Sequence, residues 1–216
     1  MRFCLFSKRF FEVEDPIALI EAYCFQSNFY ESYDFPLMKG QRSFGAVGFI
    51  GARIKKSALD KCKEIIINLY KDNPIFSLNL CSFLKLKDEE KSDYVRTLDK
   101  LASDLDKVNG VGFSKATKIL HTLYPEIIPI IDNALQKEYQ KLNPLWKQGN
   151  WNQIFMDYYD NFLVSKDTYK NLCDLHSKLS LLGLTKVRIF DILWWSYLKA
   201  KKLNQQKNIE WSTIKW

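Results

Sequence analysis

Apolar side chains recur through most of this chain at helical spacing. Val95, Leu98, Leu101, Leu105 and Val108 fall three or four residues apart, which predicts a helix capped by Ser92 and running to about Lys107. Leu59, Cys62, Ile65, Ile66 and Leu69 repeat the pattern from Ser57 to about Tyr70, where Asp72-Asn73-Pro74 stops it. Asp15-Pro16 reads as an N-cap followed by proline in the first helical turn. A helix to about Tyr33 is expected from there, with Ile17, Ile20 and Cys24 on one face. A shorter helix is expected over Ser114 to Leu123 and another from about Asp132. Two or three more should follow Asn152, the last from Thr185 to Lys201. Asp34 to Ser43 reads as a loop, while Phe44–Ile54 and Ile75–Leu86 fit helix or strand equally. The tail after Lys202 is polar, but Trp211, Ile214 and Trp216 give it apolar groups with which to dock.

The expected class is therefore all-α, or mostly α. The helices flank a glycine-punctuated reversal near residue 110, which suits a two-lobed architecture with a cleft between the lobes. The division placed on the chain is an N-terminal helical lobe over 1–90 and a second lobe over 91–216, with a single domain as the alternative.

Composition narrows the class of partner. The chain has 216 residues, 47% of them hydrophobic, so it can bury a core. The formal net charge of +7 points to an anionic partner, nucleic acid or a membrane face, or to nothing more than a lysine-rich surface. Aromatic residues reach 15%, most of which a core accounts for. Five cysteines without a CxxC pair support neither a zinc site nor a disulfide framework, so reduced thiols in the cytoplasm are expected. Lys8 and Arg9 interrupt the apolar start, which lacks the core of a signal peptide. No run of about 18 apolar residues is present, so no membrane span is expected.

The densest signal is Val108-Asn109-Gly110-Val111-Gly112-Phe113-Ser114-Lys115-Ala116-Thr117-Lys118-Ile119-Leu120. Gly110 and Gly112 permit positive φ and a tight reversal between two helices, with Val111 pointing inward. The N–H groups at the start of the second helix would then lie beside two residues without side chains, a setting that suits a phosphate oxygen. Lys115 and Lys118 can reach neighbouring phosphates, and Ala116 is small where two helices must approach. An ordinary helix–glycine–helix turn is the plainer reading of the same residues.

The segment from Val108 to Asn133 resembles the helix-hairpin-helix superfamily of base-excision DNA glycosylases. The hairpin of that family reads roughly L-P-G-V-G-x-x-T-A-x-x-I-L. A proline-containing segment ending in the catalytic aspartate, in forms such as V-P-V-D, follows about twenty residues after its second glycine. Here that segment is Ile128-Pro129-Ile130-Ile131-Asp132. The resemblance implies a helix-hairpin-helix glycosylase architecture and a catalytic role for Asp132. It also implies DNA contacts from Gly110, Gly112, Ser114, Lys115 and Lys118. Bifunctional relatives carry a nucleophilic lysine two residues after the second glycine, where this chain has Ser114, so a monofunctional enzyme without lyase activity is implied. Asn109 stands where the family usually has proline, and the four-cysteine iron–sulfur cluster of some relatives is absent, since only Cys173 follows the aspartate.

Cleaving an N-glycosidic bond develops positive charge on the sugar, which a carboxylate stabilises while orienting water. Asp132 is placed for that, and equally placed to cap the helix it opens. An enzyme acting on a base in duplex DNA must extrude it into a pocket. Trp146, Trp151, Tyr158 and Trp194 are the pocket candidates, with Phe155 and Trp195 beside them, though core packing explains each. Lys39-Gly40-Gln41-Arg42 is a candidate plug for the vacated stack. His121 and His176 receive no role. Lys186 and Arg188 open the last helix against its dipole, which phosphate contact or solvation would relieve.

The leading expectation is a monofunctional DNA glycosylase that releases a damaged or modified base. It would be a monomer without metal or cofactor, in the cytoplasm with the nucleoid, acting on double-stranded DNA and not on membranes. The alternative is a non-catalytic helix-hairpin-helix DNA-binding protein. A helical structural protein with an accidental Gly-Val-Gly turn is the third reading.

Overall fold

A computed structural model describes residues 1–5, 9–26, 53–70, 78–144, 146, 150–207 and 214–215. In chain order, strands β1 (Arg2–Leu5) and β2 (Arg9–Val13) precede helices α1 (Pro16–Gln26), α2 (Lys56–Tyr70), α3 (Leu80–Leu84) and α4 (Asp88–Asp106). Helices α5 (Gly112–Leu123), α6 (Asn133–Leu142), α7 (Trp151–Leu163), α8 (Lys166–Lys178) and α9 (Lys186–Lys207) follow, then strand β3 (Ile214–Lys215). The protein is mostly helical, as the periodicity predicts. No helix among the described residues is long and apolar enough to cross a membrane.

The chain parts into two compact units, one formed by Met1–Tyr33 with Asp157–Trp216 and the other by Asp34–Met156. These units do not follow the linear 1–90 and 91–216 division, because the two ends of the chain meet in one unit.

In the unit built from the two ends, β1, β2 and β3 form an antiparallel sheet in that order. Val13 pairs with Ile214, so Ile214 docks the C-terminal tail as an edge strand. Phe3 and Phe11 are buried and stack at 5.3 Å between centroids. The Cys4 N–H donates to Thr168 Oγ1 at 2.7 Å, tying the sheet to α8. Helices α1 and α8 pack on α9, whose Val187, Ile189, Phe190, Ile192, Leu193 and Trp194 are buried. Arg188 near the start of α9 is also buried. It donates to Tyr23 Oη at 2.7 Å and lies over the Tyr23 ring, which is how this unit accommodates a cation at a helix N-terminus.

In the other unit α2 and α5 both pack on α4. Val95, Leu98, Leu101 and Leu105 of α4 are fully buried, and truncating any of the three leucines to alanine would cost about 2–5 kcal/mol. The helix begins at Asp88, one turn before the expected cap at Ser92. The Glu90 carboxylate accepts from the Lys87 N–H at 2.8 Å, and Asp88, Glu89 and Glu90 complement the positive end of the dipole. Ser92 instead donates its hydroxyl to the Asp88 carbonyl. Similarly α2 starts at Lys56, with the Ala58 and Leu59 N–H groups bonded to the Lys55 carbonyl, one residue ahead of Ser57.

Candidate nucleic-acid interface and the aspartate beside it

The candidate site is assembled within the unit that holds Asp34–Met156. Helix α4 ends at Asp106, and the Val108 and Val111 N–H groups close two successive turns on the carbonyls of Leu105 and Val108. Gly110 lies at φ 86° and Gly112 at φ 66°, both in the left-handed region that glycine adopts without strain. Val111 between them is buried, as its place in the motif predicts. Helix α5 starts at Gly112, two residues earlier than periodicity suggests.

The N-cap position of α5 is Val111, which offers no side-chain hydrogen bond. The backbone N–H groups of Gly112, Phe113 and Ser114 have no acceptor among the described residues. A Cβ built on Gly110 or Gly112 would meet nothing within 4 Å, so the outer surface of the turn is open. Unpaired donors, a helix dipole and two missing side chains on an open surface are the elements of an anion site. Lys115 Nζ folds back onto the Gly110 carbonyl at 2.8 Å, holding its ammonium at this end of α5. Lys118 is partly exposed on the same helix.

Beneath the turn, Phe113 is buried and stacks on the Trp151 indole, with centroids 4.3 Å apart and planes 13° apart. Trp151 is fully buried and packs its other neighbour, Phe155, at 5.8 Å. Asp99 of α4 accepts from the Asn152 N–H at 3.0 Å and fixes the start of α7. Burial raises the Asp106 carboxyl above its ordinary 3.8, and the approach of the Trp151 N–H opposes that shift by less. Asp106 Oδ1 and Trp151 Nε1 are both buried yet stay outside hydrogen-bonding geometry.

The inner face of α5 reaches the segment that leads to Asp132. Thr117 is fully buried, and its Oγ1 accepts from the Ile131 N–H at 3.2 Å. Its single proton is shared between the carbonyls of Ser114 at 3.0 Å and Ile131 at 3.3 Å. One turn on, buried His121 donates from Nδ1 to the Ile128 carbonyl at 2.6 Å. Two polar side chains at i and i+4 therefore satisfy the backbone of an otherwise apolar segment, in which Ile127, Ile128, Ile130 and Ile131 are buried. Sequence reasoning gave neither residue a role. Their partners are backbone atoms, which leave no trace in the sequence.

Asp132 follows directly and is partly buried at the N-cap of α6. Its Oδ1 accepts from the Ala134 and Leu135 N–H groups, both at 2.9 Å. Capping is thus an observed role of this carboxylate, and it places the negative charge at the positive end of α6.

The aromatic candidates are divided between the two units. Trp146 and Trp151 belong to the same unit as the aspartate, and Trp146 is buried in a close stack on Tyr139. Tyr158 and Trp194 belong to the other unit, both buried, with the Tyr158 hydroxyl donating to buried Asp191 at 2.9 Å. Phe155 is buried and Trp195 partly so. Lys39-Gly40-Gln41-Arg42 lies outside the described residues.

Residues 80–198, more than half of the chain, match a family described as Family of unknown function (DUF6308). The chain belongs to that family. The DUF6308 region contains the hairpin, the Thr117 and His121 ties, Asp132 and most of α9. Searches of curated proteins and of solved structures gave no match.

Proposed function

We propose that this protein is a monofunctional DNA glycosylase. It would bind duplex DNA through the turn at Gly110–Gly112 and hydrolyse the bond between an altered base and deoxyribose with the help of Asp132. One observation carries the reading: the helix that begins with unpaired N–H groups on an open turn is the helix whose inner face holds the segment ending in Asp132. The turn supplies donors for a backbone phosphate, and Lys115 can exchange the Gly110 carbonyl for a phosphate oxygen. Asp132 supplies negative charge where the sugar becomes cationic, and it orients water. Ser114 has no amine with which to attack the sugar, so the product is an intact abasic site. The substrate is double-stranded DNA with an altered base, and the reaction needs no metal or cofactor.

The test is incubation with duplexes that carry a panel of altered purines and pyrimidines, resolved with and without alkali. Base release with strand breakage only after alkali is expected. Breakage without alkali, or no release from any duplex, counts against the reading.

A second reading is a non-catalytic DNA-binding module, in which Asp132 only caps α6. It is favoured by the two cap hydrogen bonds on Oδ1 and by the burial of Trp146 and Trp151. Salt-sensitive duplex binding without base release would select it.

A further inference from the structure

We infer that Thr117 and His121 are positioning residues that lock Asp132 in register with the phosphate-binding turn. The inference rests on the functional reading given above and deepens it. A catalytic carboxylate must be held within a fraction of an ångström of the sugar, and the sugar's place is set by the phosphates that the protein grips. In this chain the grip is at the start of α5 and the carboxylate is at the start of α6, with a largely irregular stretch, residues 124–132, between them. Such a stretch does not fix a distance by itself. The side chains of α5 do so at two points, the Ile128 carbonyl through His121 and both backbone groups of Ile131 through Thr117. Ile131 is the residue next to Asp132, so the second tie acts one peptide bond from the carboxylate's own backbone.

The arrangement is more specific than core packing requires. Valine would fill the same volume as Thr117, but it would leave the Ile131 N–H and C=O unsatisfied. The hydroxyl matters only because the segment lies alongside α5 without a ladder of its own. Neither side chain is assigned contact with DNA or with reacting atoms.

The test uses the full-length protein as wild type, Thr117→Val and Thr117→Ser, with His121→Phe and His121→Asn as the second pair. For each, single-turnover base release is measured beside duplex affinity and the exchange rate of the Ile131 amide. In Thr117→Val and His121→Phe, release is expected to slow by about 10- to 100-fold while affinity stays within about twofold. Faster exchange at Ile131 is expected in Thr117→Val. Thr117→Ser and His121→Asn, which restore a donor near the same place, are expected to recover most of the rate. A Thr117→Val protein with unchanged release and unchanged exchange would overturn the inference. So would rate and affinity falling together, with no recovery in Thr117→Ser. If the wild type releases no base, the glycosylase reading fails, and the exchange measurement alone decides whether Thr117 fixes the segment.

Discussion

Thr117 and Ile131 are hydrogen-bonded to each other in both senses, the threonine hydroxyl receiving the Ile131 N–H and sharing its proton with the Ile131 carbonyl. They stand fourteen residues apart in sequence, one on the hairpin helix and one beside Asp132. The pair joins the two motifs on which the proposed function rests, and the two can be perturbed separately.

Gly112 is the first point of perturbation. At φ 66°, a Cβ would meet open space, so substitution costs backbone strain and not a clash. Gly112→Val is expected to lower stability by about 1–3 kcal/mol in urea unfolding. It should also abolish duplex binding under conditions where the variant is fully folded. Wild-type affinity in the folded variant would mean that the turn does not face DNA.

The lysines report on phosphate contact through salt. If about five phosphates are neutralised, log K for duplex binding should fall with log salt at a slope of roughly −4 to −5. Lys115→Ala with Lys118→Ala should weaken binding to all sequences alike and flatten the slope by up to about 2. Lys115 also holds the Gly110 carbonyl, an exposed hydrogen bond worth about 0.5–1.5 kcal/mol, so Lys115→Ala should cost little stability. An unchanged slope would remove both lysines from the interface.

Asp106 gives the pH dependence a sign. Its carboxyl is raised above 3.8 in the folded protein, chiefly by burial, so the folded state holds its proton more tightly than the unfolded chain does. The contribution of this group to stability is therefore fully present below pH 3.8 and is lost as pH rises through the folded pKa. Asp106→Asn keeps the shape of the side chain and removes the charge. It should be more stable than wild type at pH 7, with the difference shrinking toward low pH in parallel melting curves. A less stable Asn variant at pH 7 would show that the ionised carboxylate is needed beneath the hairpin.

What the sequence disclosed follows from how local each signal is. The stripe of Leu98, Leu101 and Leu105 and the glycines of the turn act through periodicity and φ, both written in adjacent residues. The start of α4 was displaced because the Glu90 carboxylate, not Ser92, satisfies its first amide. Strand β1 is hidden because its neighbours Phe3 and Cys4 are both fully buried, which erases the alternation that marks a half-exposed strand. Composition could not separate core aromatics from pocket aromatics, and Trp151 proves to be packed beneath Phe113. The ties of Thr117 and His121 were invisible because they end on carbonyl and amide groups that every residue carries.

The most direct measurement compares single-turnover base release by wild type and Asp132→Asn on a duplex that the wild type processes. Asparagine is as good an N-cap as aspartate, so its side-chain oxygen can keep the bonds from Ala134 and Leu135, and the variant should fold with unchanged duplex affinity. It lacks the negative charge that the proposed mechanism sets against the developing sugar cation, and its rate is expected to drop by about 10²–10³. Release at the wild-type rate by a folded Asp132→Asn protein would contradict a catalytic role and leave the carboxylate as the cap of α6 alone.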